Sequence, residues 1–163
     1  MHAFPLEKSA GGITENIQFK EKQFKEIVDL LVDDYHFVRI IAIRGVCHHL
    51  METIECFAVI EVKTLLKTLA DTLANDGSTY LVRLAVFEGF AEMVKKKESA
   101  QLLESILPQM KLHIHDENEK VRCAFVKILQ NVKDHPDTMS IKYWDIVPID
   151  HLAARLEVNP IIF

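Results

Sequence analysis

The chain lacks the features that mark several large functional classes. Its 163 residues carry 24 Asp and Glu against 19 Lys and Arg, a formal net charge of −5. There is no global cationic excess of the kind that grips nucleic acid regardless of sequence, so only a local basic patch would serve. Cysteine is scarce. Cys47, Cys56 and Cys123 are odd in number and form no CxxC, which reads as reduced, mostly buried thiols of a cytosolic or nuclear protein. No apolar run approaches the ~18 residues that a membrane span needs. Met1 to Asn16 shows no basic stretch followed by an apolar one, so no secretory signal is expected. A Gly-rich phosphate loop, H-E-x-x-H and G-x-S-x-G are all missing, which removes sequence support for nucleotide, zinc-protease and serine-hydrolase chemistry. No Ser-Pro or Thr-Pro occurs, so proline-directed kinases have no minimal site.

What the chain does have is recurrence. Val-Arg appears at Val38-Arg39, Val82-Arg83 and Val121-Arg122, with gaps of 44 and 39 residues. A period near forty marks a helical-repeat array. Each copy follows the same apolar template at offsets 0, 3, 4, 7 and 11: Phe24, Ile27, Val28, Leu31 and Tyr35; Val62, Leu65, Leu66, Leu69 and Leu73; Leu103, Ile106, Leu107, Met110 and Ile114. Each set is one stripe of a helix with period 3.6. In the first copy Asp33-Asp34 interrupts, so Tyr35 falls past the helix end.

A polar turn then separates each first helix from a second. The turns are Asp33-Asp34, Asn75-Asp76-Gly77-Ser78 and His115-Asp116-Glu117-Asn118. Such residues stop one helix and cap the next. The second helices open on Val-Arg, and offsets 0, 3, 4, 7 and 8 predict their buried faces: Val38, Ile41, Ala42, Gly45 and Val46; Val82, Ala85, Val86, Gly89 and Phe90; Val121, Ala124, Phe125, Ile128 and Leu129. Glycine in a helix costs ~1 kcal/mol relative to alanine, so Gly45 and Gly89 suggest close helix packing. The fold class expected is all-α, a solenoid of about three helix pairs at 17–53, 54–97 and 98–133. Residues 1–16 read as a flexible lead-in. Residues 134–163 read as a loop, Asp134 to Asp137, and the first helix of an incomplete fourth pair, opened by Pro148 and stopped by Asn159-Pro160. The apolar end Ile161-Ile162-Phe163 suggests a piece of a longer array, since such arrays need polar terminal repeats.

Several clusters carry competing readings. Lys95-Lys96-Lys97 closes the second helix of the middle pair. It either compensates the helix dipole or contacts nucleic-acid phosphates. Tyr143 and Trp144 either bury against the third pair or anchor a partner. Cys47-His48-His49 is read as one packed and one surface imidazole, because neighbours on a helix point about 100° apart and cannot converge on a metal. His113 and His115 fit a helix C-terminus. Ser78-Thr79 fits an N-cap.

The repeat pattern resembles HEAT repeats: an apolar first helix, Asp in the turn, then Val-Arg and Ala in the second. Leu107-Pro108, Asp116, Val121-Arg122 and Ala124 match best. Asp33, Val38-Arg39 and Ala42 also match, whereas Gly77 holds the usual Asp place with Asp76 one residue earlier. The resemblance implies an inter-repeat ladder in which turn aspartates pair with helix arginines, giving Asp33, Arg39, Arg83, Asp116 and Arg122 a structural role. Lys142-Tyr143-Trp144-Asp145-Ile146-Val147-Pro148, then His151-Leu152 and Arg155-Leu156-Glu157, is similar to the G-type HEAT subunits of condensin II, as is the stretch from Val121 to Leu129. That likeness spans roughly 25–158. It implies a non-enzymatic scaffold, nuclear and on mitotic chromosomes, that binds the kleisin and other condensin II subunits, with chromatin DNA as a second candidate partner and no cofactor. The alternative is a HEAT adaptor of the transport or phosphatase-scaffold type that binds peptide segments. Some HEAT-like enzymes hold iron through His-Glu pairs, and this chain has no His-Glu dipeptide.

Overall fold

The computed structural model describes the backbone of residues 10–158 and the side chains of residues 18–154. Every regular element described is helical. The chain forms α1 (Ala10–Leu31) and α2 (His36–Glu52). A 3-10 turn at Ile54–Cys56 leads into α3 (Val59–Lys67), which continues as a π turn (Thr68–Thr72) and a 3-10 turn (Leu73–Asn75). Then come α4 (Tyr80–Met93), α5 (Lys97–Leu103), a 3-10 helix (Leu107–His115), α6 (Glu119–Asp134), α7 (Tyr143–Ile146) and α8 (Ile149–Val158). First and second helices pair up, and the second helices stack in series, α2 on α4 and α4 on α6. This is an all-α solenoid. No helix among the described residues is long and apolar enough to cross a membrane.

The central helix α4 carries the core. Val82, Val86, Phe87 and Phe90 are fully buried. Burying one such side chain contributes about 1.5–3 kcal/mol. Phe87 meets Phe125 of α6 edge-on, with ring centroids 5.5 Å apart, the arrangement that aromatic quadrupoles favour. Asn131 reaches back from α6, its amide donating to the Ala91 carbonyl at 2.7 Å. That buried bond fixes the axial position of α6 against α4, because sliding either helix leaves two polar groups unsatisfied.

The apolar stripes of the second and third pairs fold as their spacing predicts, with local departures. Val62, Leu65, Leu66, Leu69 and Leu73 are all buried. The third stripe does not lie on one helix. It breaks between Leu103 and Leu107, and Pro108 sits in the first turn of the 3-10 segment. Proline has no N–H to continue the helical ladder. The expected buried face of α2 is also displaced. Ile41 is 71% exposed, while Ile40, Ile43, Val46, Cys47 and Leu50 are buried. That helix is apolar nearly all round, so alternative stripes fit its sequence. The helix α1 begins at Ala10, within the segment read as lead-in. Gly11 and Gly12 weaken a helix without stopping it, since propagation from a formed turn is easier than nucleation.

Glycine in the second helices divides into two cases. A Cβ on Gly89 would lie 2.5 Å from Cys47 Sγ and 3.0 Å from its Cβ, so α2 and α4 approach closely there. A Cβ on Gly45 would meet nothing within 4 Å, so the close packing inferred for that residue is absent. Burial pushes the Cys47 thiol up to about 12. Cys56 and Cys123 are exposed, contrary to the expected mostly buried set, and all three cysteines are free.

Candidate interaction surfaces and the arginine ladder

The three turns share one local design. Each aspartate accepts the backbone N–H two residues on: Asp33 Oδ1 from Tyr35 at 2.7 Å, Asp76 Oδ1 from Ser78 at 2.8 Å and Asp116 Oδ1 from Asn118 at 2.8 Å. This is the short-range bond that makes aspartate a turn residue. The carbonyl of the same aspartate then accepts from the arginine of the following helix. Arg39 Nη1 donates to Asp33 O at 2.6 Å, Arg83 Nη1 to Asp76 O at 2.7 Å and Arg122 Nη1 to Asp116 O at 2.8 Å.

The rest of each guanidinium faces the next turn. Arg83 grips Asp116 with two bonds, Nε to Oδ2 at 2.9 Å and Nη2 to Oδ1 at 3.1 Å. Glu117 adds a third contact at 3.2 Å from the solvent side. Arg39 Nη2 lies 3.0 Å from Asp76 Oδ2 and donates to Ser78 Oγ at 2.7 Å. Both pairs are nearly sealed, with side chains 7–11% exposed. Planar, two-pronged donation suits arginine and is unavailable to lysine.

Burial pushes the Asp76 and Asp116 carboxyls up, but the opposing bonds win and both end below the ordinary aspartate value. For Asp76 these are the Ser78 hydroxyl, two backbone N–H groups and the Arg39 charge. For Asp116 they are the Arg83 bonds, the Asn118 N–H and the nearby charges. The Asp116 bond in turn raises the Arg83 guanidinium. His113 packs against Phe87 with ring centroids 4.9 Å apart. Burial lowers its imidazole, Arg83 lowers it further and Asp116 opposes both.

The pairs therefore differ from the expected set at both ends. Asp33 gives its carbonyl to Arg39 and its carboxylate to a turn N–H, and that carboxylate forms no ion pair with an arginine among the described residues. Asp76 takes the carboxylate role in the second turn. It lies seven residues before its arginine, against six for Asp33 and Asp116, and Gly77 belongs to that longer turn. Arg122 donates to the Asp116 and Glu117 carbonyls, and its Nε, like that of Arg39, is buried without a hydrogen-bond partner among the described residues.

The lysine cluster does not close a helix as a unit. α4 ends at Met93, Lys95 and Lys96 lie in the turn, and Lys97 begins α5. Lys95 pairs with Glu92 at 2.6 Å and Lys96 with Glu52 at 2.6 Å. The Lys96 bond lowers the Glu52 carboxyl. Lys97 has no ion-pair partner among the described residues. Two of the three charges are therefore neutralised locally, and the third sits at a helix N-terminus, where the dipole disfavours it.

Tyr143 and Trp144 come together on α7, ring centroids 4.8 Å apart at 73°. Tyr143 packs partly against the core, whereas Trp144 is 48% exposed. Burial of both rings against the third pair, the simpler expectation, fails for Trp144. The loop before α7 is held by Glu104, which accepts from the Ser140 N–H at 2.5 Å and its hydroxyl at 2.9 Å. His48 and His49 are both exposed, with ring centroids 6.0 Å apart. Among the described residues no three His, Cys, Asp or Glu side chains converge as a metal site. Thr79 and Asn118 cap α4 and α6, accepting the N–H groups of Leu81 and Lys120.

Comparison with known proteins supplies the remaining observation. The chain is 35% identical to the human protein named condensin-2 complex subunit G2, over 98% of its own length and 14% of that protein. The Xenopus laevis protein of that name is 37% identical over 85% of the chain, and the Danio rerio one 34% identical over 96%. The chain spans only 12–14% of the length of these relatives. No family model matches it, and no solved structure does.

Proposed function

Since the chain is homologous along nearly all its length to one segment of condensin-2 subunit G2, we propose that it serves as a HEAT-type scaffold within a condensin II regulatory subunit. The observation that carries this reading is the similarity itself, at 34–37% identity in four vertebrate relatives of one name. On this reading the chain does no chemistry. It holds an extended protein surface rigid for the kleisin and other condensin II subunits, and acts in the nucleus on mitotic chromosomes. Two nearly buried arginine–aspartate pairs across successive turns suit that task, because an array that keeps its curvature presents its binding surface preorganised. The names of the relatives favour condensin over a transport or phosphatase adaptor.

Chromatin DNA ranks second as a partner, because Lys95 and Lys96 are already engaged by glutamates. The test is a pull-down of the chain with kleisin peptides against scrambled peptides of equal composition. Retention by the native peptides alone supports the proposal, and equal retention by both refutes it.

A further inference from the structure

The second helices of successive pairs stack closely, whereas the first-helix segments make far fewer close approaches to one another. Between α3 with its extension and residues 102–113 a trough of about 800 Å³ opens. Val62, Leu66 and Ala70 line one wall and Ile106 and Met110 the other. Val59 and Leu112 also line it and remain 73% and 64% exposed, so the trough is open to solvent. Apolar side chains so exposed in a cleft mark an interaction site more often than isolated ones do.

One rim is cationic. Lys63 and Lys67 are one helical turn apart on the same face of α3. Both are exposed and line the trough, and neither has an ion-pair partner among the described residues. Asp71 is the single carboxylate in the lining. In a chain of net charge −5, a cationic rim beside an apolar floor is a local reversal. The wall from residue 59 to 75 is about 25 Å long at ~1.5 Å per helical residue, enough for a helix of three to four turns.

We propose that this trough docks an acidic amphipathic helix of a partner protein. The apolar positions at i, i+3 or i+4, and i+7 would lie along the floor. Carboxylates one turn apart on the flank would meet Lys63 and Lys67. Nucleic acid fits less well, since phosphates gain nothing from an apolar floor and two lysines neutralise few of them. The proposal names the chemistry of the partner and stands whether or not the kleisin is that partner.

The experiment uses two fluorescein-labelled synthetic helices about four turns long. Both carry leucine on the apolar face, one with glutamate on the flanks and one with lysine, and fluorescence anisotropy follows their titration with the whole chain. The glutamate helix is expected to bind about tenfold or more tighter than the lysine helix. Lys63→Glu with Lys67→Glu is expected to invert that preference. Leu112→Gln, which removes apolar surface without adding charge, is expected to weaken the glutamate helix in the otherwise native chain. All three positions are exposed, so far-ultraviolet circular dichroism should stay unchanged. Equal binding of the two helices, binding of neither, or indifference to the Lys63 and Lys67 changes overturns the proposal. A concentration-dependent dimer that excludes the glutamate helix assigns the trough to a second copy and also overturns it.

Discussion

Gly45→Ala and Gly89→Ala are the same chemical change in consecutive second helices, and they should act in opposite directions. At Gly45 the added Cβ meets open space. The substitution gains helix propensity, so Gly45→Ala should stabilise by about 0.8–1 kcal/mol. At Gly89 the Cβ meets Cys47 Sγ at 2.5 Å and its Cβ at 3.0 Å, where carbon atoms normally rest ~3.5–4 Å apart. Cys47 is 2% exposed and its Cβ, which no side-chain rotation moves, is itself too near, so α2 and α4 are expected to separate. Overpacking of that kind costs up to about 3 kcal/mol, and the propensity gain of about 1 kcal/mol leaves a net loss near 2. The two variants should therefore differ by about 3 kcal/mol in urea denaturation followed at 222 nm. Removing the obstructing sulfur with Cys47→Ala should make a further Gly89→Ala much less harmful. Equal effects at Gly45 and Gly89, or no relief in the Cys47→Ala background, would refute the close approach of α2 and α4.

Val82 is fully buried, so Val82→Asp should cost several kcal/mol through an unpaired buried charge; an unchanged melting temperature would rule out the packing of α4. Asp76 and Asp116 titrate below the ordinary aspartate value when folded. Their contribution is thus complete above the unfolded value near pH ~4 and lost as pH falls through the folded values. Asp116→Asn should flatten that acid limb in a pH series of thermal melts, and an identical limb would contradict the assignment. Duplex DNA should bind weakly and with steep salt dependence; tight binding that survives high salt in a filter assay would reveal a groove that Lys95, Lys96 and Lys97 do not supply.

Much of this fold is legible in the sequence because its determinants are local. The stripe from Val62 to Leu73 and the Val-Arg openings report side chains that must share a helix face. The aspartate turns report short-range bonds. What escapes depends on tertiary placement or on a competing local rule. Asp76 was readable as an aspartate seven residues before Arg83, but Gly77 stood where the pattern puts its acid. Pro108 fits the repeat pattern and still breaks the stripe, since fitting a motif does not restore a missing N–H. The exposure of Trp144 depends on which elements reach α7. The trough beside Lys63 and Lys67 arises from the spread between two first helices, which no periodicity encodes.

Whether neighbouring helix pairs are locked together through their turns is tested most directly by a double-mutant cycle across Arg83 and Asp116. Removing one partner of a buried pair should cost about 3–5 kcal/mol, while removing both should cost far less than the sum. Arg83→Met, Asp116→Leu and the double variant should therefore show a coupling of about 2 kcal/mol or more in urea denaturation. Additive losses, with a coupling below about 0.5 kcal/mol, would mean that the two turns do not hold each other and that the stacking rests on the apolar core alone.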